Sequence, residues 1–449
     1  MDSVKLILTS ALMSSFVSVM AEEDSVKRKF NLGAYGEAVM TRNFYSDNIY
    51  RYKYPYEHKD DASHGRFDLP HMAINMGYDF GKGWSVGMEI EFEHGGTESA
   101  VEYEADESGE YEAEVEKGGE VALEQLWVNK AFKQGMFNIR AGEIVVPVGQ
   151  ANAYHMPNEF FTVYRHEGES SILPNTWHQV GLSFWGKTKY VNYEMQFLSG
   201  LDSERFGSEN FVHYGCVSPY EFKIANSYAA ATRVTVKPAD GVRLSLSGYL
   251  GRTFKNTLAH PSAKYDDVKG RLGIGSLDFY VNRGAWIVRG GATYAHLGDA
   301  QTITEFNNTL PLHHGQDGSP SKHQPVGESA LATSLELGWN MLSVVPKAEA
   351  KQKLYLFGAY EYYDSMLEGS QKESYNWCGK NRFAVGLNYM PVNGVIVKAE
   401  YSKRYLNDMD ESAANANNTH VGHTDEPLGQ YNDEPSISLG VTFVGWFIK

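Results

Sequence analysis

Three carboxylates, Glu89, Glu91 and Glu93, stand at alternate positions, while Arg165, His166, Glu167 and Glu169 crowd one short segment. Alternate spacing in an extended chain puts the three glutamates on one face. The basic residues Arg233, Arg243, Arg289, Arg382, Lys398 and Arg404 each sit among apolar neighbours in the same alternating way. Groups so arranged can build a field across a wet passage, with an acidic wall on one side and a basic wall opposite. Such a field orients dipolar solutes, passes small hydrophilic molecules and retards apolar ones. The other reading is that these charges merely face water.

Reaction chemistry finds little to work with. The chain has no Gly-x-Ser-x-Gly elbow, no His-Glu-x-x-His, no phosphate-cradling Gly loop and no credible catalytic Cys/His pair. No catalytic residue is assigned, and no cofactor is implied. His313, His314 and His323 lack a Cys or carboxylate at ligand spacing. Residues 98–120 hold ten carboxylates against Lys117, arranged as two arms around Ser108-Gly109. This reads as a hairpin whose paired carboxylates hold Ca²⁺ or bridge to lipopolysaccharide, or else as a solvated, self-repelling tip. It matches no defined calcium loop, so no metal site is expected.

The elements that must carry these residues are strands. In Trp84 to His94, Trp84, Val86, Met88, Ile90 and Phe92 alternate with Ser85, Gly87, Glu89, Glu91 and Glu93. One face suits lipid and the other water, and the pattern recurs. Strand cores are expected at 30–44, 69–80, 84–94, 121–132, 136–147, 176–186, 189–198, 229–237, 241–252, 270–282, 284–297, 328–341, 351–363, 379–390, 394–405 and 434–447. Phe137 to Val146, Leu272 to Val281 and Leu354 to Tyr363 are apolar on both parities, and the last suits packing against an inner loop or a neighbouring subunit.

The connections alternate between tight turns, such as Gly81-Lys82-Gly83 and Pro238-Ala239-Asp240, and long loops. The expected fold is therefore all-β: a transmembrane antiparallel up-and-down barrel of about sixteen strands. Short turns and both termini would face the periplasm, with long loops outside. No apolar run is long enough for a membrane helix, and mean hydropathy is negative, as a barrel with a polar lumen requires. The 29 Tyr, 22 Phe, 8 Trp and 44 Gly suit strands with interfacial aromatic girdles.

Residues 1–21 read as a signal peptide, with Lys5, an apolar stretch from Leu6 to Val19, and Val19-Met20-Ala21 as the cleavage site. Residues 22–449 then form one barrel domain, and the destination is the bacterial outer membrane. A net charge of −16 makes nucleic acid an unfavourable partner. Cys216 and Cys378 both fall in expected outer loops, and an exported chain could join them.

The stretch Ile139-Arg140-Ala141-Gly142-Glu143-Ile144-Val145-Val146-Pro147-Val148-Gly149 resembles the strand before the pore loop in the phosphate-selective porin O/P family. Leu173-Pro174-Asn175-Thr176-Trp177, then Gly181, Gly186, Tyr193 and Ser199-Gly200-Leu201, resemble the end of that loop and the following hairpin. Likeness continues from Ala230 to Gly251. It departs at the end of the chain, where Ile448-Lys449 follow Trp446-Phe447, and in the acidic balance. The resemblance implies that residues 148–175 fold inward as a constriction bearing Arg165, His166, Glu167 and Glu169. It also implies a homotrimer in outer-membrane lipid.

The function expected is a porin, a water-filled channel for passive diffusion of small polar solutes or ions. Glu89, Glu91, Glu93 and the acidic loop lean toward cations, whereas the phosphate resemblance leans the other way. The alternatives are a surface adhesin or receptor, an outer-membrane enzyme on a barrel, and a secreted β-sandwich.

Overall fold

The computed structural model describes residues 29–46, 61–96, 99–103, 111–117, 120–217, 222–257, 261–310, 323–345, 352–407 and 433–448. The signal-peptide segment, His313 and His314 lie outside them. Sixteen antiparallel strands form the wall: β1 (Phe30–Asn43), β2 (His71–Gly81), β3 (Trp84–Glu93), β4 (Glu120–Phe132), β5 (Phe137–Val145), β6 (His178–Lys187), β7 (Val191–Ser199), β8 (Tyr228–Ala239), β9 (Val242–Arg252), β10 (Arg271–Arg283), β11 (Trp286–Leu297), β12 (Ser329–Asn340), β13 (Lys353–Glu368), β14 (Gly379–Val392), β15 (Val395–Leu406) and β16 (Asp433–Ile448). Each pairs with the next in sequence, and β1 pairs with both β2 and β16, so that Tyr35 faces Ala73 on one side and Val444 on the other. The sheet is a closed up-and-down barrel with no free edge.

Gly65–Asp68 adds a short segment against β1, and Ser99–Tyr103 pairs with Tyr111–Lys117 in the hairpin read from the acidic stretch. Its side chains lie outside the description.

Alternation decides which way each side chain turns. On β9, Leu244, Leu246 and Leu250 are exposed, Leu250 at 72%, while Ser245, Ser247 and Tyr249 are buried. The same holds on β14, where Phe383, Val385 and Leu387 face out and Arg382 and Asn388 face in. A globular core would reverse this order.

β4 breaks the alternation once. Glu89 faces Gln125 and Ile90 faces Leu123, so Glu124 is an extra residue in a β-bulge. Glu124 and Gln125 consequently both turn inward, and both are buried.

The three segments that were apolar on both parities find their partners inside the barrel. Tyr355, Phe357 and Ala359 of β13 pack on Phe161, Ile144 of β5 joins Val146 and Trp177, and Leu272 and Ile274 of β10 join Phe254 and Ile303. An inner segment, rather than a second subunit, covers the inward side of β13. The lumen is also not polar throughout. Leu201, Phe206, Phe211, Phe254, Tyr265, Ile303 and Phe306, from loops at the rim opposite the tight turns, pack with inward alanines of β8, β11 and β12 into a hydrophobic cluster. Sequence reading expected an aqueous interior without such a core. The long connections supply it, by a packing that no strand periodicity encodes. Cys216 and Cys378 are free thiols.

Candidate functional site

Between β5 and β6 the chain leaves the wall, and residues 148–175 bond to inward side chains of β3, β8, β9 and β11 to β15. Val146 donates its N–H to Trp177 O at 2.8 Å, closing the segment at its base. Two short helices, Gln150–Ala153 and Glu167–Ile172, lie within it. Glu169 ties them together, since its carboxylate accepts from Ala151 N at 2.5 Å and from Thr293 Oγ1 of β11 at 2.6 Å.

Residues 159–163 cross the inner faces of β11, β12, β14 and β15, bonded to wall side chains. Phe161 N donates to Glu336 Oε1 at 3.0 Å, and Val163 N to Glu400 Oε2 at 2.8 Å. In the other direction, Lys398 Nζ donates to Thr162 O at 2.8 Å, Asn388 Nδ2 to Phe161 O at 2.9 Å, and Arg289 Nη1 to Glu159 O. Buried backbone groups must find partners, and here the wall supplies acceptors and donors in alternation. Phe161 is the apolar anchor. Its ring stacks on Phe357 with centroids 5.6 Å apart and lies under the Arg289 guanidinium at 4.5 Å.

Residues 165–168 form the second anchor. Arg165 donates to Asn175 Oδ1 and Thr176 Oγ1, and its Nη2 is 3.8 Å from Glu91 Oε1 of β3. His166 lies between Glu336 at 3.8 Å and Glu361 at 3.9 Å. Burial disfavours its charged form, yet these two carboxylates outweigh burial and raise its pKa. Glu167 takes Arg382 Nε at 3.1 Å, Arg404 Nη1 at 3.1 Å and the Tyr363 hydroxyl at 2.9 Å. Burial would lift its pKa, but the two guanidiniums hold it at about 2. Gly168 N donates to Glu361 Oε2 at 2.9 Å.

The remaining expected site residues sort by partner. Arg233 pairs with Asp278 at 2.6 Å and donates to Gly149 O. Arg289 pairs with Glu336, and Arg382 with Glu361 and Glu400 as well as Glu167. Arg404 also pairs with Glu434, while Glu89 accepts from Gln125 Nε2. Glu91 and Glu93 face His71 Nδ1 at 2.8 and 3.6 Å. Arg243 differs from the other arginines: its guanidinium lies 4.0 Å over Tyr154 and 4.4 Å over Tyr280, with no carboxylate within 4 Å among the described residues.

The picture of an acidic wall facing a basic one is therefore corrected. Asp278, Glu336, Glu361 and Glu400 interleave with the arginines on the same wall, because each buried guanidinium requires a counter-charge. Glu400 alternates visibly with Val397, Ala399 and Tyr401, and Glu336 with Leu335 and Leu337, whereas Asp278 and Glu361 lie in segments apolar on both parities, where parity does not mark them. Phe161 and Tyr154 gave no signal, as their roles depend on where a non-repeating segment lands, and Glu124 gave none because the bulge on β4 shifts its parity. A further recess lies between β4 and β8, lined by Gln125, Arg140, Trp185, Asn192 and Glu194, with Arg140 bonded to Glu194 at 2.6 Å.

No protein-family model matches the chain. An uncharacterized protein of Aquifex aeolicus (strain VF5) is 24% identical over 405 residues, 86% of this chain and 78% of the relative. Among solved structures, Pseudomonas putida OprB at high pH aligns over 93% of this chain and 94% of its own, with a TM-score of 0.50 and 9% identity. The anion-selective porin of Comamonas acidovorans aligns over 93% and 99%, with a TM-score of 0.47 and 9% identity. The OprB likeness bears on architecture: the chain has the closed sixteen-strand barrel of the porins.

Proposed function

We propose that this chain is an outer-membrane channel through which small polar solutes or ions diffuse passively, narrowed by residues 148–175. The observation that carries this reading is the inverted wall, with Leu, Val and Phe exposed outside and Ser, Asn and charged residues buried inside. Lipid requires such an exterior, and a closed barrel leaves no backbone group unpaired within it. A secreted sandwich would expose the polar face instead.

Export by the 1–21 signal peptide and assembly as a trimer belong to the same proposal, on the strength of the motifs at 139–149 and 173–177. The phosphate-selective resemblance contributes kinship and names no solute. Within the passage, the expected residues divide into two roles. Arg233, Arg289, Arg382, Lys398, Glu91, Arg165, His166, Glu167 and Glu169 hold the crossing segment against the wall. Arg243 and Glu93, both partly exposed, face the open lumen, with Arg404 at its margin and Glu89 buried behind.

Purified barrel added to a planar bilayer should give stepwise currents. Silence from folded protein, recognised by its heat-dependent gel mobility, would sink the proposal and favour a plugged receptor. Enzymatic turnover lost on one rim substitution would favour the enzyme.

A further inference from the structure

The inner wall of β2, β3 and β4 carries a group that the crossing segment does not account for. His71 Nδ1, Glu91 and Glu93 offer ligand atoms that all lie within 4.8 Å of one another. Alone, this is an imidazole paired with two acids, an arrangement common on protein surfaces.

The bulge on β4 changes its meaning. It turns Glu124 inward beside Glu91 and Glu89, where Glu124 is 1% exposed and its carboxylate meets that of Glu91, with no donor from any other group among the described residues. Its closest charged influences are those two glutamates, followed by Arg165. One oxygen of Glu89 is also buried and unpartnered. A carboxylate stripped of water and set against two others is costly unless a cation or a proton enters. Arg165 supplies one charge at 3.8 Å from Glu91. Four glutamates remain against one guanidinium and one imidazole.

We propose that His71, Glu91 and Glu93 bind a divalent transition-metal ion on the lumen wall, with the buried Glu124 beside Glu91 adding negative charge behind the site. One imidazole nitrogen with several carboxylate oxygens suits first-row ions such as Zn²⁺ better than Ca²⁺ or Mg²⁺, which prefer oxygen alone. Tetrahedral zinc holds neighbouring ligand atoms roughly 3.3–3.5 Å apart. The 2.8 and 3.6 Å separations from His71 bracket that spacing, and all three ligand atoms lie within 4.8 Å of one another. His71 would bind as the neutral ring, carrying its proton on the other nitrogen, and the entering ion would displace the hydrogen bond to Glu91. Because Arg165 contacts the same glutamate, the ion would lie where the crossing segment meets β3.

The test uses folded, chelator-treated barrel in detergent, titrated calorimetrically with Zn²⁺ alone and separately with Ca²⁺. One Zn²⁺ per chain should bind, weakened about ten- to a hundredfold or more in His71→Ala and in Glu124→Gln. Co²⁺ should give visible absorption bands that His71→Ala abolishes, in protein that keeps its heat-dependent mobility. Failure of the wild type to take up Zn²⁺ overturns the proposal, since a shared proton then suffices for Glu124. Uptake unchanged in His71→Ala, but lost when the carboxylates of residues 98–120 are neutralised, also overturns it. Neither result depends on whether the barrel conducts.

Discussion

Arg382 of β14 joins the wall to the crossing segment: its Nε lies 3.1 Å from Glu167 Oε1, while its other nitrogens hold Glu361 and Glu400. Glu167 in turn reaches Arg404 and Tyr363. Removing one partner of a buried pair costs about 3–5 kcal/mol, chiefly because the other charge is stranded. Arg382→Met strands three carboxylates and should speed hydrogen exchange of amides 161–168 a hundredfold or more, with barrel amides little changed. Glu167→Gln should do less, and the double variant should show coupling. Equal exchange in Arg382→Met and wild type would dissociate the pair from anchoring.

What could be read from sequence follows from this arrangement. A strand between lipid and water repeats every two residues, so the wall and the inward facing of Arg233, Arg289, Arg382 and Lys398 are legible in order and number. Their partners are not. Lys398 donates to carbonyls 236 and 238 residues away in sequence, and nothing near Lys398 signals Thr162 or Phe160. Glu361 lay hidden in a segment apolar on both parities, which reads as ambiguous because its inward residues pack on Phe161. Glu124 escapes because a bulge adds one residue and shifts parity by one.

His166 makes the anchor depend on pH. Glu336 and Glu361 raise its pKa above the ordinary value of about 6.5, against burial and against nearby Arg289. A raised histidine contributes its stabilisation fully below the unfolded value and loses it as pH climbs through the folded one. Protection of amides 161–168, corrected for intrinsic exchange, should therefore be high at pH 6 and fall toward pH 9. His166→Gln should flatten that fall; a profile identical to wild type would assign the dependence elsewhere.

Arg243 should govern ion selectivity more than its buried counterparts. It is half-buried between Tyr154 and Tyr280 with no carboxylate within 4 Å among the described residues, whereas Arg382 is neutralised locally by three. Arg243→Ala should move the reversal potential in a salt gradient toward cation preference. A larger shift from Arg233→Ala, whose charge Asp278 already offsets, would contradict this ordering.

The two cysteines should be dispensable. Both thiols are free, and burial pushes the Cys216 thiol up to about 11 and that of Cys378 up to about 12, so neither is a ready nucleophile at neutral pH. Cys216→Ser/Cys378→Ser should melt at the same temperature as wild type, and reductant should leave gel mobility unchanged. A mobility shift on reduction would reinstate a bridge.

The apolar anchor rests on an absence. Gly338 of β12 faces the ring of Phe161, and a Cβ built there would stand 2.1 Å from Phe161 Cζ, closer than any atoms can approach. The niche exists because this one strand residue has no side chain, and the ring fills it against Phe357 and Tyr355. Phe161→Ala keeps every backbone bond to Glu336 and Lys398 but empties the niche, at a cost of about 3–5 kcal/mol. Gly338→Val leaves Phe161 intact and displaces it, so the bonds from Phe161 N and Thr162 N to Glu336 must stretch with it. The two variants separate packing from hydrogen bonding. Exchange at 161–163 should rise in both, and single-channel conductance should change more in Gly338→Val, where the segment itself is pushed into the lumen. Conductance and exchange equal to wild type in Gly338→Val would mean that the segment does not lie against β12.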